Sequence, residues 1–579
     1  MARLTNRDIA EIFENIADLL EIKGESVFRV LAYREGAQTI RDLPRDLSTI
    51  HAEGKLTELP NIGDTLADKI EEMLTTGELQ FYKRITAEIP LSLVEILHVN
   101  GVGPKKVKRF WQELGILTLP ELESAAREGK LRGMSGMGAK SEQKILEGIE
   151  ALKRRTNRLS IGIVLPIAQS ILNDLLKLPQ AQYGDIAGSL RRYKSTIGDV
   201  DILIVSDDAA PIMDAFVNRP DVARILGHGP TKSSVELLQG LQVDVRVLPA
   251  ARYGTALSYF TGSKDHNVRL REIALKKGLS LNETAFSNAA TGEEVVLCAT
   301  EEEVYKTLGL PYIPPELRED RGEVEAAQAG NLPHLIELAD IRGDLHMHTT
   351  WSDGHLSIRE MAEAARQRGL SHIVITDHSR SLGIANGLSI ERLMEQQKAI
   401  REVDAEMGPD FTVLHGTEME IKSDGALDYP DEVLAQLDLV IASLHTSLRQ
   451  SREEITQRLL NAIRNPHVDI IGHPRGQLIP EREPADLDMD TIFTAAKEHG
   501  MVMEINANPR RLDLDDSHAR RAQELGIKLA INTDAHSAGE LDLTHYGVAI
   551  ARRGWIQPEN VINTWSTGQL LDWLRSRGQ

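Results

Sequence analysis

From about Leu338 to the end of the chain, short apolar runs rich in β-branched residues alternate with helical patterns. The runs are HIVITDH, LVIASLH, VDIIGH, MVMEIN and IKLAINTDAH, and stretches such as SIREMAEAARQRG lie among them. A helix between two strands carries the chain back across the sheet, so strands joined this way pair in parallel. The segment is therefore expected to form a parallel sheet closed by helices, with a barrel as its compact form. Chemistry-bearing groups sit at or just after the ends of these runs: D-L-H-M-H-T-T-W-S-D-G at 344–354, T-D-H at 376–378, G-T-E-M-E at 416–420, S-L-H-T at 443–446, G-H-P at 472–474 and T-D-A-H at 533–536. Barrel enzymes place their reactions at that end of the strands. One histidine pair is often structural, but six clusters at strand ends are not accidental. Histidine and carboxylate donors suit zinc, manganese or iron better than magnesium, and clustered ions would generate hydroxide and stabilise charge on a phosphoryl group. Phosphoester hydrolysis is the natural chemistry of such a segment.

At 579 residues the chain exceeds a single core, and roughly 150 residues per domain suggests about four units. No apolar stretch approaches the roughly 18 residues of a membrane helix, so a soluble protein with no membrane partner is expected. The amino-terminal MARLTNRDIAEIFENIADLLEIKG has helical spacing and no small-residue cleavage site, so it reads as a folded helix and not as a signal peptide. The one cysteine, Cys298, excludes an internal disulfide and fits a cytoplasmic location. A net charge of -21 argues against nucleic acid only as an average, because GPKKVKRFW at 103–111 and LKRRTNR at 152–158 are basic. Carboxylates gathered around bound cations are also partly neutralised in place.

Up to about Arg158 the sequence reads as helices broken by glycine turns, and one turn recurs. Its copies are LPNIGDTLADKIEEML at 59–74, VNGVGPKKVKRFWQELG at 99–115 and a weaker MSGMGAKSEQKILEGI at 134–149. Glycines there let backbone N–H groups and a helix N-terminus approach a phosphate closely. The pattern resembles the helix-hairpin-helix motif, which would make Gly63, Gly101, Gly103, Lys105 and Lys106 contacts to DNA backbone. A single copy would better suit a plain helical hairpin with a glycine cap, and it is three in tandem that favour DNA backbone binding. Asn61 replaces the first glycine of the first copy, a mild departure because asparagine tolerates a left-handed conformation.

Between about Leu159 and Ile313 strands enter, giving an α+β pattern. GSLRRYKSTIGDVDILIV at 188–205 sets Asp199 and Asp201 on one face of a strand, where two carboxylates repel unless a cation lies between them. QVDVRVL offers a third, Asp244, with Arg246 on the same face. If the two strands are neighbours, the three aspartates form a cage suited to two magnesium ions. Such ions could activate a 3′-hydroxyl and clamp a nucleotide triphosphate. The alternative is that the aspartates merely end strands or pair with arginines.

The Gly-Ser, the basic loop, the D-x-D and the later aspartate resemble the nucleotidyltransferase superfamily. YFTGSKDHNVRLREIALKKGLSLNE at 259–283 is similar to the nucleotide-binding segment of the family X DNA polymerases. The resemblance implies a helical lyase-like domain at 1–90, fingers at 91–158, a nucleotidyltransferase palm at 159–250 and a thumb at 251–313. It further implies that Asp199, Asp201 and Asp244 bind the catalytic Mg2+ ions, Asp244 also helping to activate the primer hydroxyl. Ser189, Arg192 and Gly198 would hold the triphosphate; Tyr259, Phe260 and Gly262 would line the sugar pocket; Asn267 would touch the incoming base and Arg271 the template. The family often has an aspartate where this chain has Lys264. Lys69 falls at the position of the family's Schiff-base lysine, a role that requires its pKa to be depressed by burial or neighbouring cations; a lysine bonding DNA phosphate is the other reading.

Residues 338–579 resemble the polymerase and histidinol phosphatase (PHP) domain, a distorted (β/α)7 barrel with three metals, Mn2+ or Zn2+. By that resemblance His346, His348, Glu418 and Asp534 would hold one ion, Glu418, His445 and His473 a second, and Asp353, His378 and His536 a third. His355, His372 and His415 fall outside the pattern and read as structural. Residues 314–337, rich in proline and charge, read as a linker or docking segment that allows the halves to move. The whole resembles a gap-filling DNA polymerase with 3′-to-5′ exonuclease action, acting on gapped DNA and dNTPs in base excision repair, with incision at abasic sites or cleaning of 3′ ends. A monomer, with other repair proteins as further partners, is expected. Two other readings stay open: a phosphatase of small phosphate esters, and a DNA-end-binding scaffold with weak polymerase activity.

Overall fold

The computed structural model describes residues 4–41, 43, 45–99, 101–155 and 158–577. They divide into two compact units, one up to residue 157 and one from residue 158 onward.

The first unit is helical. Its first helix, Asn6–Lys23, starts on a capping box in which Thr5 and Asp8 satisfy each other's backbone amides, and it ends on left-handed Gly24. Ile9, Phe13, Ile16 and Leu20 line its buried face at helical spacing. The three recurring turns share one backbone design. Asn61, Gly101 and Gly136 have φ of 60°, 83° and 75°, and the amides of Ile62, Val102 and Met137 each bond the carbonyl three residues back. Gly63, Gly103 and Gly138 then lead into the helices Asp64–Thr76, Pro104–Leu114 and Ala139–Arg155. Asparagine at 61 thus adopts the left-handed conformation its two glycine counterparts adopt.

The second unit begins with a five-stranded sheet ordered Tyr183–Ile186, Asp199–Val205, Gln242–Leu248, Lys232–Leu237, Val222–His228. The Asp199–Val205 and Gln242–Leu248 strands are parallel neighbours, with Asp201 level with Asp244. Alternation puts Val200, Ile202 and Ile204 into the core, which leaves the aspartates on the opposite face. Two helices, Tyr253–Thr261 and Lys264–Lys276, and a small antiparallel sheet follow.

From Gly343 onward, seven parallel strands pair in chain order. The first and last meet through the Met347–Ala535 bridge and the His348 amide on the Ala535 carbonyl, so the sheet nearly closes on itself. The five expected runs supply strands, HIVITDH as His372–Ile375 and LVIASLH as Leu439–Ser443 among them. Gly343–Asp344 and Thr412–Glu420 supply the other two.

Residues 314–337 are not a flexible linker. Arg318 is fully buried, paired with Glu301 and lying 5.1 and 5.3 Å from the ring centres of Tyr305 and Tyr312. Glu323 is fully buried against His266 at 2.7 Å. The Ile336 amide bonds Ile556 of the barrel, and Arg552 holds both Glu316 and the Ile336 carbonyl. Charges of this segment are paired in the interior, so it fastens the barrel to the preceding α+β domain within one compact unit.

Candidate functional site

Two clusters of candidate metal ligands, one of carboxylates and one of histidines with carboxylates, stand out in the second unit. In the first, the parallel register sets Asp201 beside Asp244, with Asp199 one pleat away on the same strand. Burial, Asp199 and Asp244 push the Asp201 carboxyl up to about 6. Burial also acts upward on Asp244, but hydrogen bonds from Lys232, Gln242 and Ser234 outweigh it and hold this carboxyl below the ordinary range. The Lys232 ammonium, 2.7 Å from Asp244, supplies a cation on one side of the cluster. Three carboxylates on one face, only partly offset by Lys232 and Arg246, fit a divalent cation.

Most of the residues expected to hold nucleotide, though not Ser189 or Gly198, line one cleft. A cavity of about 260 Å³ is lined by Arg192, Tyr259, Phe260, Gly262, Lys264, Asn267 and Arg271. Gly262 has φ of 70°, and a side chain there would come within 3.1 Å of the Arg192 guanidinium. Gly188, at φ 65°, lies so close to Asp201 that a Cβ would approach its Oδ2 at 2.9 Å. Both positions demand glycine for conformation and for room. Asn267 donates to the Tyr259 carbonyl at 2.7 Å, and Arg246 stacks 4.1 Å from the Phe260 ring centre. Ser189 lies in the short Gly188–Arg191 helix, and Gly198 immediately precedes the aspartate strand.

In the second cluster, strand ends of the barrel bring together His346, His348, Glu418 and Asp534; His378, Glu418 and His445; and His348, Asp353, His378 and His536. The first group is the expected one. The others differ in detail: His348 joins the Asp353, His378 and His536 set, and His378 stands where His473 was expected, while His473 reaches Glu418 Oε1 at 2.8 Å. Glu418 is the hub, with nitrogens of His346, His348, His378, His445 and His473 within 3.6 Å of its carboxylate. Nε2 of His346 and His445, Nδ1 of His378 and Oε2 of Glu418 meet at this point as buried atoms without hydrogen-bond partners, and Nδ1 of His348 and of His473, on the far side of their rings from Glu418, are unpartnered as well. Buried polar atoms are nearly always paired, so this set fits divalent ions of the zinc or manganese kind and does not fit a purely structural core.

Charge is tightly coupled there. Burial pushes His346 down, but Glu504, Glu418 and Asp534 outweigh it and hold the ring well above the ordinary imidazole range. His348, stacked 4.3 Å from both His378 and His536, is pushed down to about 3 by burial and by His378. Ions entering the cluster would displace the protons that His346 and its neighbours hold.

The sequence reading missed the groups that orient these ligands. Glu504 accepts from His346 Nδ1 at 2.8 Å and from the His473 amide at 2.7 Å. Glu420 holds His445 Nδ1 at 2.7 Å, and Arg511 Nε lies 3.4 Å from Asp534. A lone acid inside the apolar MVMEIN and the second acid of GTEME were the available signals. His372 and His415 are buried lower on their strands, each pushed down to about 4 by burial, and belong to none of the ligand groups.

In the first unit, Gly63 and Gly103 cap their helices without any side-chain bond, and a Cβ at either would meet nothing within 4 Å. The fold itself does not crowd out a side chain at these turns, which leaves an approach to the helix N-terminus open. Lys105 is exposed, whereas Lys106 folds back onto the Gly101 carbonyl at 2.7 Å. Lys69 is lowered from its ordinary pKa by burial first and Arg29 next. Its ammonium lies 5.6 Å from the centre of the Phe81 ring, which Arg29 and Arg84 also face.

Comparison with known proteins agrees with this layout. Residues 4–79 match a helix-hairpin-helix domain, 93–151 a SAM-like helix-hairpin-helix tandem, 256–319 the DNA polymerase beta thumb and 344–508 the PHP domain. The chain is similar to the DNA polymerase/3′-5′ exonuclease PolX of Bacillus subtilis, 40% identical over 98% of this chain and 99% of that protein. It is 25% identical to DNA polymerase lambda of Rattus norvegicus over 54% of this chain and 56% of that one. A probable phosphatase of Thermoanaerobacter is 32% identical across 40% of this chain and 94% of its own length.

The raised pKa of Asp201 has a consequence for stability. A carboxyl whose folded pKa lies above its unfolded value weakens the fold as pH rises past the ordinary 3.8, fully so above about 6. In chelator, Asp201→Asn should therefore stabilise the protein by about 1–2 kcal/mol at pH 7.5, a gain that shrinks as the pH falls through 6. Urea unfolding at several pH values checks this; a variant less stable than the parent at pH 7.5 would show that no like-charge strain exists at the site.

Proposed function

Because the chain belongs to the family X DNA polymerases that carry a carboxyl-terminal PHP domain, we propose that it fills short gaps in DNA with deoxynucleotides and removes nucleotides from 3′ ends at the barrel. The observation that carries the first half is the parallel pairing of Asp201 with Asp244 beside the Arg192 cleft. Magnesium held by Asp199, Asp201 and Asp244 would lower the pKa of the primer hydroxyl and neutralise the triphosphate. Arg192 meets the phosphates from the cavity wall, with Ser189 and Gly198 as further contacts in this reading. Tyr259, Phe260 and Gly262 crowd the sugar, so a 2′-hydroxyl is disfavoured. Asn267 meets the base edge after leaving the Tyr259 carbonyl, and Arg271 meets the template.

At the barrel, ions held by His346, His348, Asp353, His378, Glu418, His445, His473, Asp534 and His536 would acidify an attacking water and stabilise charge on the phosphoryl group. Glu504 and Glu420 fix the Nδ1 side of His346 and His445, so each ring turns Nε2 toward Glu418. The helix-hairpin-helix turns hold DNA backbone through Gly63, Gly101 and Gly103 and the nearby Lys105 and Lys106. In this reading the protein is a cytoplasmic monomer that acts in base excision repair, with cleavage at abasic sites or of blocked 3′ ends.

One labelled primer in a one-nucleotide gap tests both halves with Mg2+ or Mn2+. Asp199→Ala with Asp201→Ala should lose extension by at least about a hundredfold and keep shortening, and His346→Ala the reverse. If neither activity is seen in the parent, the substrate is wrong. The likeness of the barrel to a probable phosphatase then makes small phosphoesters the next substrates, and competition between these and DNA separates the two readings.

Lys69 carries a further activity in this reading, attack on a 5′-deoxyribose phosphate, since burial and neighbouring Arg29 favour its neutral amine. Borohydride should trap the parent, and not Lys69→Ala, covalently on DNA bearing that end. Equal trapping of both proteins assigns the Schiff base elsewhere, and no trapping of either leaves Lys69 as a phosphate contact.

A further inference from the structure

A buried chain of charges runs from the nucleotide cleft into the barrel. Arg192, whose guanidinium lines the cleft, donates from Nε to Glu319 at 3.1 Å and from Nη1 to the Thr261 carbonyl. Glu319 belongs to the segment that was expected to be a linker, and its side chain is 10% exposed. The same Glu319 oxygen accepts from Arg553 at 2.8 Å, and Arg553 Nη1 also reaches the Arg192 carbonyl at 2.6 Å. Arg553 is the last residue of the barrel helix Thr544–Arg553, 3% exposed. Its other nitrogen bonds Asp516 at 2.9 Å, which Arg321 shares at 2.9 Å. Lys194 completes the set, 3.8 Å from Glu319.

Each carboxylate here is shared. Glu319 answers to Arg192, Lys194 and Arg553, and Asp516 to Arg553 and Arg321. Burial alone would push Glu319 up, but Arg553, Lys194 and Arg192 together hold it well below the ordinary range. A carboxylate this close to a phosphate-binding arginine is useful only if its own charge is spent elsewhere. Left to Arg192 alone, it would compete with an incoming triphosphate for the guanidinium and repel its phosphates. Arg553 takes up that charge and at the same time pins the Arg192 backbone.

We propose that Glu319 and Arg553 are positioning residues of the polymerase site, Glu319 orienting the Arg192 guanidinium toward the triphosphate and Arg553, from the barrel, neutralising Glu319 so that the guanidinium stays available. The PHP barrel then tunes nucleotide affinity through one buried ion network, with no conformational change required. This rests on the reading of Arg192 as a triphosphate ligand.

Steady-state gap filling by the full-length protein, with dNTP varied, tests it. Arg553→Gln should raise the KM for dNTP about tenfold with kcat changed less than about threefold, because the lost contact acts on binding. The barrel's own phosphoesterase rate, which uses none of these residues, should stay within about twofold. Adding Glu319→Gln to Arg553→Gln removes the negative charge that Arg553 no longer offsets and should recover most of the KM, a rescue that simple loss of packing would not give. If Arg553→Gln also loses phosphoesterase activity it has not folded, and Arg553→Lys takes its place, with a smaller rise of about two- to fivefold because one ammonium can replace Nη1 at Glu319 and the Arg192 carbonyl but not Nη2 at Asp516 as well. An unchanged KM in the folded variant, or no recovery in the double variant, overturns the proposal. Arg192→Ala separates the two levels. If it leaves KM for dNTP unchanged, the underlying reading of the cleft fails; if it raises KM while Arg553→Gln does not, only the role of the barrel fails.

Discussion

Glu418 stands where five histidines converge inside the barrel, and the arrangement of that whole domain follows from what a buried carboxylate needs. An isolated buried charge is costly, and imidazoles offer it partners that either carry a proton or share a metal ion. Four strand ends supply those imidazoles because a closed parallel sheet points all its carboxyl ends at one place. Glu504, Glu420 and Asn506 then fix the ligands and hold Asp534, so the cluster is oriented before any ion arrives. The same rule acts at Asp201 and Asp244, where a sheet that could have paired two apolar strands pairs two acids.

Much of this was legible in the sequence because the chemistry sits at punctuation points. The strand-end clusters, the D-x-D strand and the repeated glycine turns all follow from period-two and helix-start patterns that need no tertiary information, whereas the partnership of Asp244 waited on strand order. Asn61 was readable for the same reason, since its left-handed φ is a local property. What could not be read depends on neighbours distant in the chain. Glu504 is one acid in an apolar strand until His346, 158 residues away, is seen against it. The division of ligands among ions, in which His348 joins a third group and His473 stands aside from the second, depends on ring orientations that spacing does not set.

The segment 314–337 shows the limit most plainly. Its prolines and charges have the composition of a solvated connector, and composition does not distinguish an arginine in water from Arg318 enclosed by Tyr305, Tyr312 and Glu301. Once those charges are seen to be paired, the connection between polymerase and barrel becomes a structural element. Arg553 and Glu319 then give that element a place in nucleotide binding, and Arg552 and Glu316 anchor it from the same barrel helix.

The account stands or falls on the two acid clusters being separate metal centres. Metal analysis per chain, after dialysis and without chelator, tests this for the parent, Glu418→Gln and Asp201→Asn. The account predicts three transition-metal ions in the parent, one for each ligand group, with at least two lost in Glu418→Gln and none in Asp201→Asn. A metal content that Glu418→Gln leaves unchanged would contradict it.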